Sequence, residues 1–338
     1  MYIILLSGGK GKRMWPISSN THPKQYIKMV DNPLFTASSN EPVSMLQRIW
    51  FQLKKMELHE NTIITTNISQ SSIIKEQIKD PVKIAIEPDS RDTYPSILLS
   101  VSYLKDQLNA LNEDFVCILP VDSYTDTSFF QSIIKLEELL KTTHSKVALI
   151  GTHPQKPSSK YGYILLDEDM GEYLKVSSFK EKPDSLQAEK LISEGCLWNC
   201  GVVCLKIGTI LEHAEEKNIP MDYETLCNIY STLPKNSFDK EFLEITQDII
   251  ALKFHKDWLD IGTWCGISER IGTKSIGNAF QHKSCENTTI INKLSQQIIT
   301  IGCKNLIIVA SEDGILITEK ESSSKLKECL KLDRDTEE

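Results

Sequence analysis

No run of apolar residues in this 338-residue sequence approaches the ~20 that a spanning helix needs, so no transmembrane segment is expected. A clustered basic block is lacking too, and the formal net charge is -8. Binding along a phosphate backbone draws on grouped Lys and Arg, which argues against nucleic acid as the main partner. A small anion needs only a local basic pocket and stays open. No charged leader precedes the apolar run that begins at Tyr2, so no signal peptide is expected. No CxxC pair occurs among the nine cysteines, an odd number. Free thiols in a reducing cytoplasm fit that pattern better than a disulfide framework. Cys196, Cys200 and Cys204 step by four, as ligands on one helix face would. The surrounding CLWNCGVVCLK is rich in strand formers and contains a Gly, so these are read as buried small hydrophobes rather than metal ligands.

What is present is the composition of a globular protein, 40% hydrophobic and 25% charged, with room for a main domain and a smaller second one. Apolar runs without alternation, IILL (3–6), TIIT (62–65), VKIAI (82–86), FVCILP (115–120) and KVALIG (146–151), are separated by helix-like stretches. Those stretches fall at 44–56, 70–78, 94–109 and 128–142. Strands buried on both faces and spaced by helices predict a doubly wound, mostly parallel α/β sheet of the Rossmann-like kind. After residue 155, alternation and acidic turns in KYGYILLDEDMGEYLKVSSFKEKP predict antiparallel excursions. Helical patterns return at 184–194 and 222–231. From about 275 short strands follow one another and end in a polar terminal helix, ESSSKLKECLKL. The expected division is 1–272 as the main domain and 273–338 as a small β-rich one.

The stretch LLSGGKGKRMWPIS follows the first strand. A P-loop spacing would need Gly where Arg13 stands, and a dinucleotide fingerprint would need Gly where Met14 stands, so both fail. Glycines at 8, 9 and 11 still let backbone N–H groups approach a phosphate. Arg13 offers a fork to phosphate oxygens, and Lys24, in PKQ, a second compact cation.

With WP and PKQ in place, the chain resembles the sugar-1-phosphate nucleotidylyltransferases, most closely the mannose-1-phosphate guanylyltransferases. EPDSRDTYPS, LPVDS, KYGYI, FKEKPD, LWNCGVV, SFDKEFLE and WLDIGTW follow in that family's order. The resemblance implies a GT-A-like nucleotidyltransferase fold, with a C-terminal module like a left-handed β-helix that contributes to a homodimer. It implies attack of a sugar-1-phosphate oxygen on the α-phosphorus of a nucleoside triphosphate, with release of pyrophosphate. Such chemistry needs no covalent nucleophile; it needs two anions held in line and their charge neutralised.

By the same resemblance, Mg2+ is held by Asp122 and Asp260, and Arg13, Lys24 and Lys182 are the catalytic cations. Ser7, Gly8, Gly9, Gly11, Arg13, Glu87, Arg91, Asp92, Thr93 and Pro120 are expected around the nucleotide. Gly162, Glu181, Lys182 and Asn199 are expected around the sugar phosphate. Asp92 stands where relatives often carry Asn. A carboxylate there can accept the paired N1–H and N2–H of guanine, which favours GTP, with α-D-mannose 1-phosphate as acceptor. Two departures bear on substrate choice: Ser123 replaces a frequent His, and Lys240 replaces a Tyr after Asp239. They keep open CTP, or a glucose or heptose phosphate, with the same chemistry. A regulator that binds nucleotide-sugars without turnover would have lost the metal carboxylates or the phosphate cations, and all are present here.

Overall fold

Consecutive buried residues Ile3, Ile4 and Leu5 mark β1 (Tyr2–Leu6) as a strand covered on both faces. It is followed by α1 (Met45–Lys55), β2 (Thr62–Asn67), α2 (Ile68–Gln77), β3 (Lys83–Glu87) and α3 (Thr93–Leu108). Next come β4 (Phe115–Pro120), the short β5 (Ser123–Tyr124), α4 (Thr127–Thr143) and β6 (Val147–Thr152). A hairpin of β7 (Gly162–Asp169) and β8 (Leu174–Glu181) leads to α5 (Ser185–Ser193), β9 (Leu197–Lys206), α6 (Ile207–Glu216) and α7 (Tyr223–Ile229). The chain continues through β10 (Ile249–Phe254), β11 (Leu259–Asp260) and α8 (Trp264–Ile271). It finishes with β12 (Ser275–Ile276), β13 (Ala279–Gln281), β14 (Thr289–Asn292), β15 (Ile298–Thr300), β16 (Leu306–Ser311) and β17 (Gly314–Glu319). This computed structural model describes residues 1–9, 11, 14–19, 22–31, 42–273, 275–326 and 328–330. Among them, no helix is long and apolar enough to cross a membrane.

The chain divides into two units. The first comprises Met1–Gly8, Ile49–Val121 and Thr125–Trp258. Its nine-stranded sheet has the order β3-β2-β1-β4-β9-β6-β10-β8-β7. Pairing is parallel from β3 through β4, and again between β6 and β10. Strand β9 runs antiparallel to both β4 and β6, and β8 antiparallel to β10 and β7. The sheet is therefore mixed rather than mostly parallel across its width. LWNCGVVCLK fills the place beside β4 that a further parallel strand would take, and its cysteines at 200 and 204, like Cys196 just before it, are buried and free. Side chains of α3 (Ile97, Leu98, Val101, Leu104) pack with Ile4, Ile63, Val116 and Ile118 in the main core. Aspartates cap α3, α4, α5 and α7 through Asp92, Asp126, Asp184 and Asp222. Helices α6 and α8 were not foreseen from the pattern.

The register pairs Leu6 with both Thr65 and Pro120, and Asn67 with Glu87. Ser7, Gly8, Asn67, Glu87 and Pro120 thus share the carboxyl edge of the parallel strands, the edge where open α/β sheets bind their ligands.

The second unit comprises the described residues of Gly9–Arg48, Asp122–Tyr124 and Leu259–Glu338. Strands β5 and β11 form a two-residue antiparallel ladder. A four-stranded sheet, β12-β14-β16-β17, and a pair, β13-β15, make up the C-terminal part. Its pairings are parallel except for the closing hairpin β16–β17.

Candidate active site

In the second unit the β5–β11 ladder sets Asp260 opposite Ser123, and Ile261 N–H donates to the Asp122 carbonyl at 3.2 Å. Two acids far apart in the chain are held by this one short ladder. Both side chains turn to Gly262, whose N–H donates to Asp260 Oδ1 at 2.8 Å. A Cβ on Gly262 would clash with Lys24 Nζ and Asp122 Oδ2 and lie 2.9 Å from Asp260 Oδ1. Only a glycine leaves room there. The buried Lys24 ammonium donates to Asp122 Oδ2 at 2.5 Å and to the Gly262 carbonyl at 3.3 Å.

The PKQ turn also anchors the glycine loop. Gln25 Nε2 donates to the Gly9 carbonyl at 2.9 Å, and Ser18 Oγ to the Gly11 carbonyl at 2.6 Å. Gly11 has φ +67, and a Cβ on it would lie 2.5 Å from Lys24 N. Arg13 lies outside the described residues, as do Lys10 and Lys12.

Sequence reasoning missed the support of β5. The guanidinium groups of Arg48 and Arg270 lie 4.1 and 4.9 Å from the centre of the Tyr124 ring. The Tyr124 hydroxyl donates to Asp31 at 2.6 Å, and Arg270 donates to the same carboxylate at 3.1 Å. Burial works against the Asp31 charge, yet Tyr124, Arg48 and Arg270 hold its carboxyl below the usual range. Nothing local in the sequence pairs residues so far apart.

At the carboxyl edge of the first unit's sheet, Ser7 N–H donates to the Thr65 carbonyl at 2.9 Å. Gly8 leaves space that a Cβ would fill against Glu87 Oε2. Glu87 is buried and accepts from the Tyr230 hydroxyl at 2.9 Å. Burial raises its pKa, Asp89 and Asp92 add to the rise, and the Tyr230 and Ser96 hydroxyls oppose it. Tyr230 was not foreseen. Arg91 is tied to Asp89 at 2.8 Å and to the Leu233 carbonyl at 3.2 Å. Asp92 sits at φ 70 and caps α3, its Oδ1 accepting from Thr93 N–H at 2.8 Å. Thr93 Oγ1 accepts from Phe238 N–H at 2.9 Å. The Pro120 ring abuts the backbone of Gly201, which has φ +75.

A second polar cluster of this unit forms at the end of β8. Glu181 is buried, its N–H donating to Glu244 Oε1 at 2.9 Å, and its carboxylate takes the Lys182 ammonium. Lys182 has φ 47, a left-handed turn that reverses the side chain onto its neighbour. Gly162 pairs with Glu181 across β7–β8, and a Cβ there would lie 2.9 Å from Glu181 Oε2. Asn199 Nδ2 donates to Asp239 Oδ1 at 3.3 Å, and Asn199 Oδ1 accepts from Gly201 N–H at 3.0 Å. Burial, then the Glu181 charge, pushes the Asp239 carboxyl up to about 7 against the pull of Lys182. Burial depresses the Lys182 pKa, but Glu181, Asp239 and Asp92 raise it on balance. Glu181, Lys182, Asn199 and Gly162 therefore come together, joined by Asp239; the next residue, Lys240, is exposed.

Asp239 carries a pH signature. The unfolded chain releases this proton near 3.8 and the folded protein near 7, so between them the folded state holds the extra proton and loses stability as pH rises. Asp239→Asn cannot ionise. Urea midpoints of the variant are expected to gain on the wild type from about pH 4 to about pH 7 and then run level. A difference independent of pH contradicts this.

Comparison with known proteins gives the family. A family profile described as nucleotidyl transferase matches residues 2–271. The chain is 27% identical over 364 residues to a mannose-1-phosphate guanylyltransferase of Escherichia coli, covering 96% of this chain and 74% of that protein. It is 28% identical over 358 residues to one of Salmonella muenchen, covering 97% and 72%. A solved structure described as mannose-1-phosphate geranyltransferase from Thermus thermophilus shares the fold, with a TM-score of 0.80, 23% identity and 98% of each chain covered. The profile spans most of the sequence, and the chain belongs to the nucleotidyl transferase family.

Proposed function

We propose that this nucleotidyltransferase joins GTP and α-D-mannose 1-phosphate into GDP-mannose and releases pyrophosphate. The observation that carries the reading is the convergence of Asp122, Asp260 and Lys24 on the bare Cα of Gly262. Two hard carboxylate oxygens facing a space that a Cβ would fill suit Mg2+, which takes one or two carboxylates and completes its shell with phosphate oxygens. When bound, the ion supplies charge neutralisation at the reacting phosphate.

The chain's own residues have separate tasks in this reading. Asp122 and Asp260 hold the ion. Lys24 pairs with Asp122 and offers a compact cation to the triphosphate, which the backbone N–H groups of the glycine loop and Arg13 also receive. Ser7, Gly8, Glu87, Arg91, Thr93 and Pro120 line the nucleotide. Asp92 keeps Oδ2 for the guanine edge while Oδ1 caps α3. Lys182 meets the phosphate of the sugar substrate. Glu181 and Asn199 hydrogen-bond its hydroxyls beside Gly162, and Asp239, when protonated, donates to one. Attack by the sugar-phosphate oxygen expels pyrophosphate, and positioning plus charge neutralisation lower the barrier.

The segment 273–338 is the proposed β-helix-like module, supported by its parallel ladders. Exposed Phe280, Ile299, Ile315 and Ile317 on these strands support a homodimer. Light scattering is expected to give twice the 38.4 kDa chain mass, and a clean monomer removes the dimer.

Pyrophosphate release, measured with Mg2+ across four nucleoside triphosphates and several sugar 1-phosphates, tests the reaction. GTP with mannose 1-phosphate is expected to be fastest. Asp122→Asn, Asp260→Asn and Lys182→Ala are each expected to lower kcat by about 100-fold or more while circular dichroism stays unchanged. Asp92→Ala is expected to erode the preference for GTP. Full turnover in the three site variants contradicts the assignment, and an intact GTP preference in the fourth removes the role of Asp92.

A further inference from the structure

Six of the nine cysteines fall into two chemical kinds. Cys117, Cys196, Cys200 and Cys204 are buried in or beside strands as small hydrophobes, and burial pushes the first three thiols up. Cys285 and Cys303 are different. Both are half-exposed, in the turns that follow β13 and β15.

An isolated parallel bridge, Glu286 with Lys304, ties the two turns together. Glu286 N–H donates to the Cys303 carbonyl at 2.9 Å, and Asn305 N–H donates to the Glu286 carbonyl at 3.0 Å. Each cysteine directly precedes a bridge partner, so the two occupy matching positions on neighbouring backbones. Parallel strands lie ~4.8 Å apart, inside the ~4.4–6.8 Å span of Cα atoms that a disulfide accepts. The Cys303 thiol donates weakly to the Ile301 carbonyl at 3.8 Å, on the same strand end. Thr300 Oγ1 lies 3.5 Å from Cys285 Sγ. Gly302 N–H donates to Ser284 Oγ at 2.9 Å. Thr300 first, then the backbone groups of Cys303 and Gly302 and the Cys303 thiol, hold the Cys285 thiol below its usual range against a small burial penalty. The nearby charges of Lys304 and Glu286 are paired with each other at 2.9 Å.

We propose that Cys285 and Cys303 form a peroxide-responsive dithiol, with Cys285 as the attacking sulfur and Cys303 as the resolving one. Cys285 thiolate attacks one oxygen of hydrogen peroxide and breaks the O–O bond. The other oxygen leaves as hydroxide and takes a proton to become water, and Cys285 becomes a sulfenic acid. Cys303 sulfur then attacks Cys285 sulfur; the S–S bond forms, the S–O bond breaks, and the oxygen departs as a second water with the Cys303 proton. The two thiols lose two electrons and two protons in all, and peroxide is reduced. The product ties the turn after β13 to the turn after β15, and a dithiol reductant reverses it.

The test uses the full reduced chain. Iodoacetamide at neutral pH is expected to label Cys285 about 10-fold faster than the accessible Cys265 and Cys329. One equivalent of hydrogen peroxide is expected to lower the intact mass by about 2 Da and to yield one dominant cross-linked peptide, joining 285 to 303. With Cys303→Ser, dimedone is expected to trap a sulfenic acid on Cys285; with Cys285→Ser, neither adduct nor cross-link forms. Should a variant fail to fold, the wild-type peptide map decides by itself. Equal labelling rates, or oxidation that leaves 285 and 303 unlinked, overturn the proposal.

Discussion

Two carboxylates aimed at one point repel each other unless a cation stands with them. In this protein that constraint shapes the residues around Gly262. Lys24 supplies the positive charge beside Asp122, and the absent side chain at Gly262 supplies the space. The β5–β11 ladder supplies the geometry, and it is only two residues long. So short a ladder gains little from its own pairing. Its rigidity comes from outside, through the Tyr124 ring under Arg48 and Arg270 with Asp31 closing the set.

The first unit uses the opposite balance. Around Lys182 the acids outnumber the base: Glu181, Asp239 and Asp92 all raise its pKa, and burial makes Asp239 retain its proton toward neutral pH. A cluster rich in acceptors with one charged ammonium is what the proposed sugar-phosphate reading asks for, since such a ligand carries hydroxyls at one end and phosphate at the other. Glu87 repeats the theme, a buried acid held by the Tyr230 hydroxyl beneath a glycine that has no side chain to obstruct it.

Much of the fold was legible because it is written in local pattern. Burial on both faces leaves β1 and β4 as unbroken apolar runs, and α3 and α4 begin and end within a residue or two of their expected bounds. The antiparallel placement of β9 between β4 and β6 was not legible, since an apolar strand does not name its neighbours. The site divides the same way. Glycines 8 and 11, Lys24 and Glu181 stand in compact motifs with a chemical reason for their types. Tyr230, Arg48 and Arg270 act across long separations and have no signature of their own. Asp92, expected at the base, is a helix cap in the structure, a use that only the turn at φ 70 makes visible.

The central claim is that Asp122 and Asp260 share one divalent ion. Crystals grown with Mn2+, GTP and mannose 1-phosphate, measured for anomalous scattering at the manganese edge, address it directly. The account predicts a peak coordinated by an oxygen of each of these two aspartates. A manganese ion bound to the phosphates with both carboxylates outside its coordination shell would contradict it.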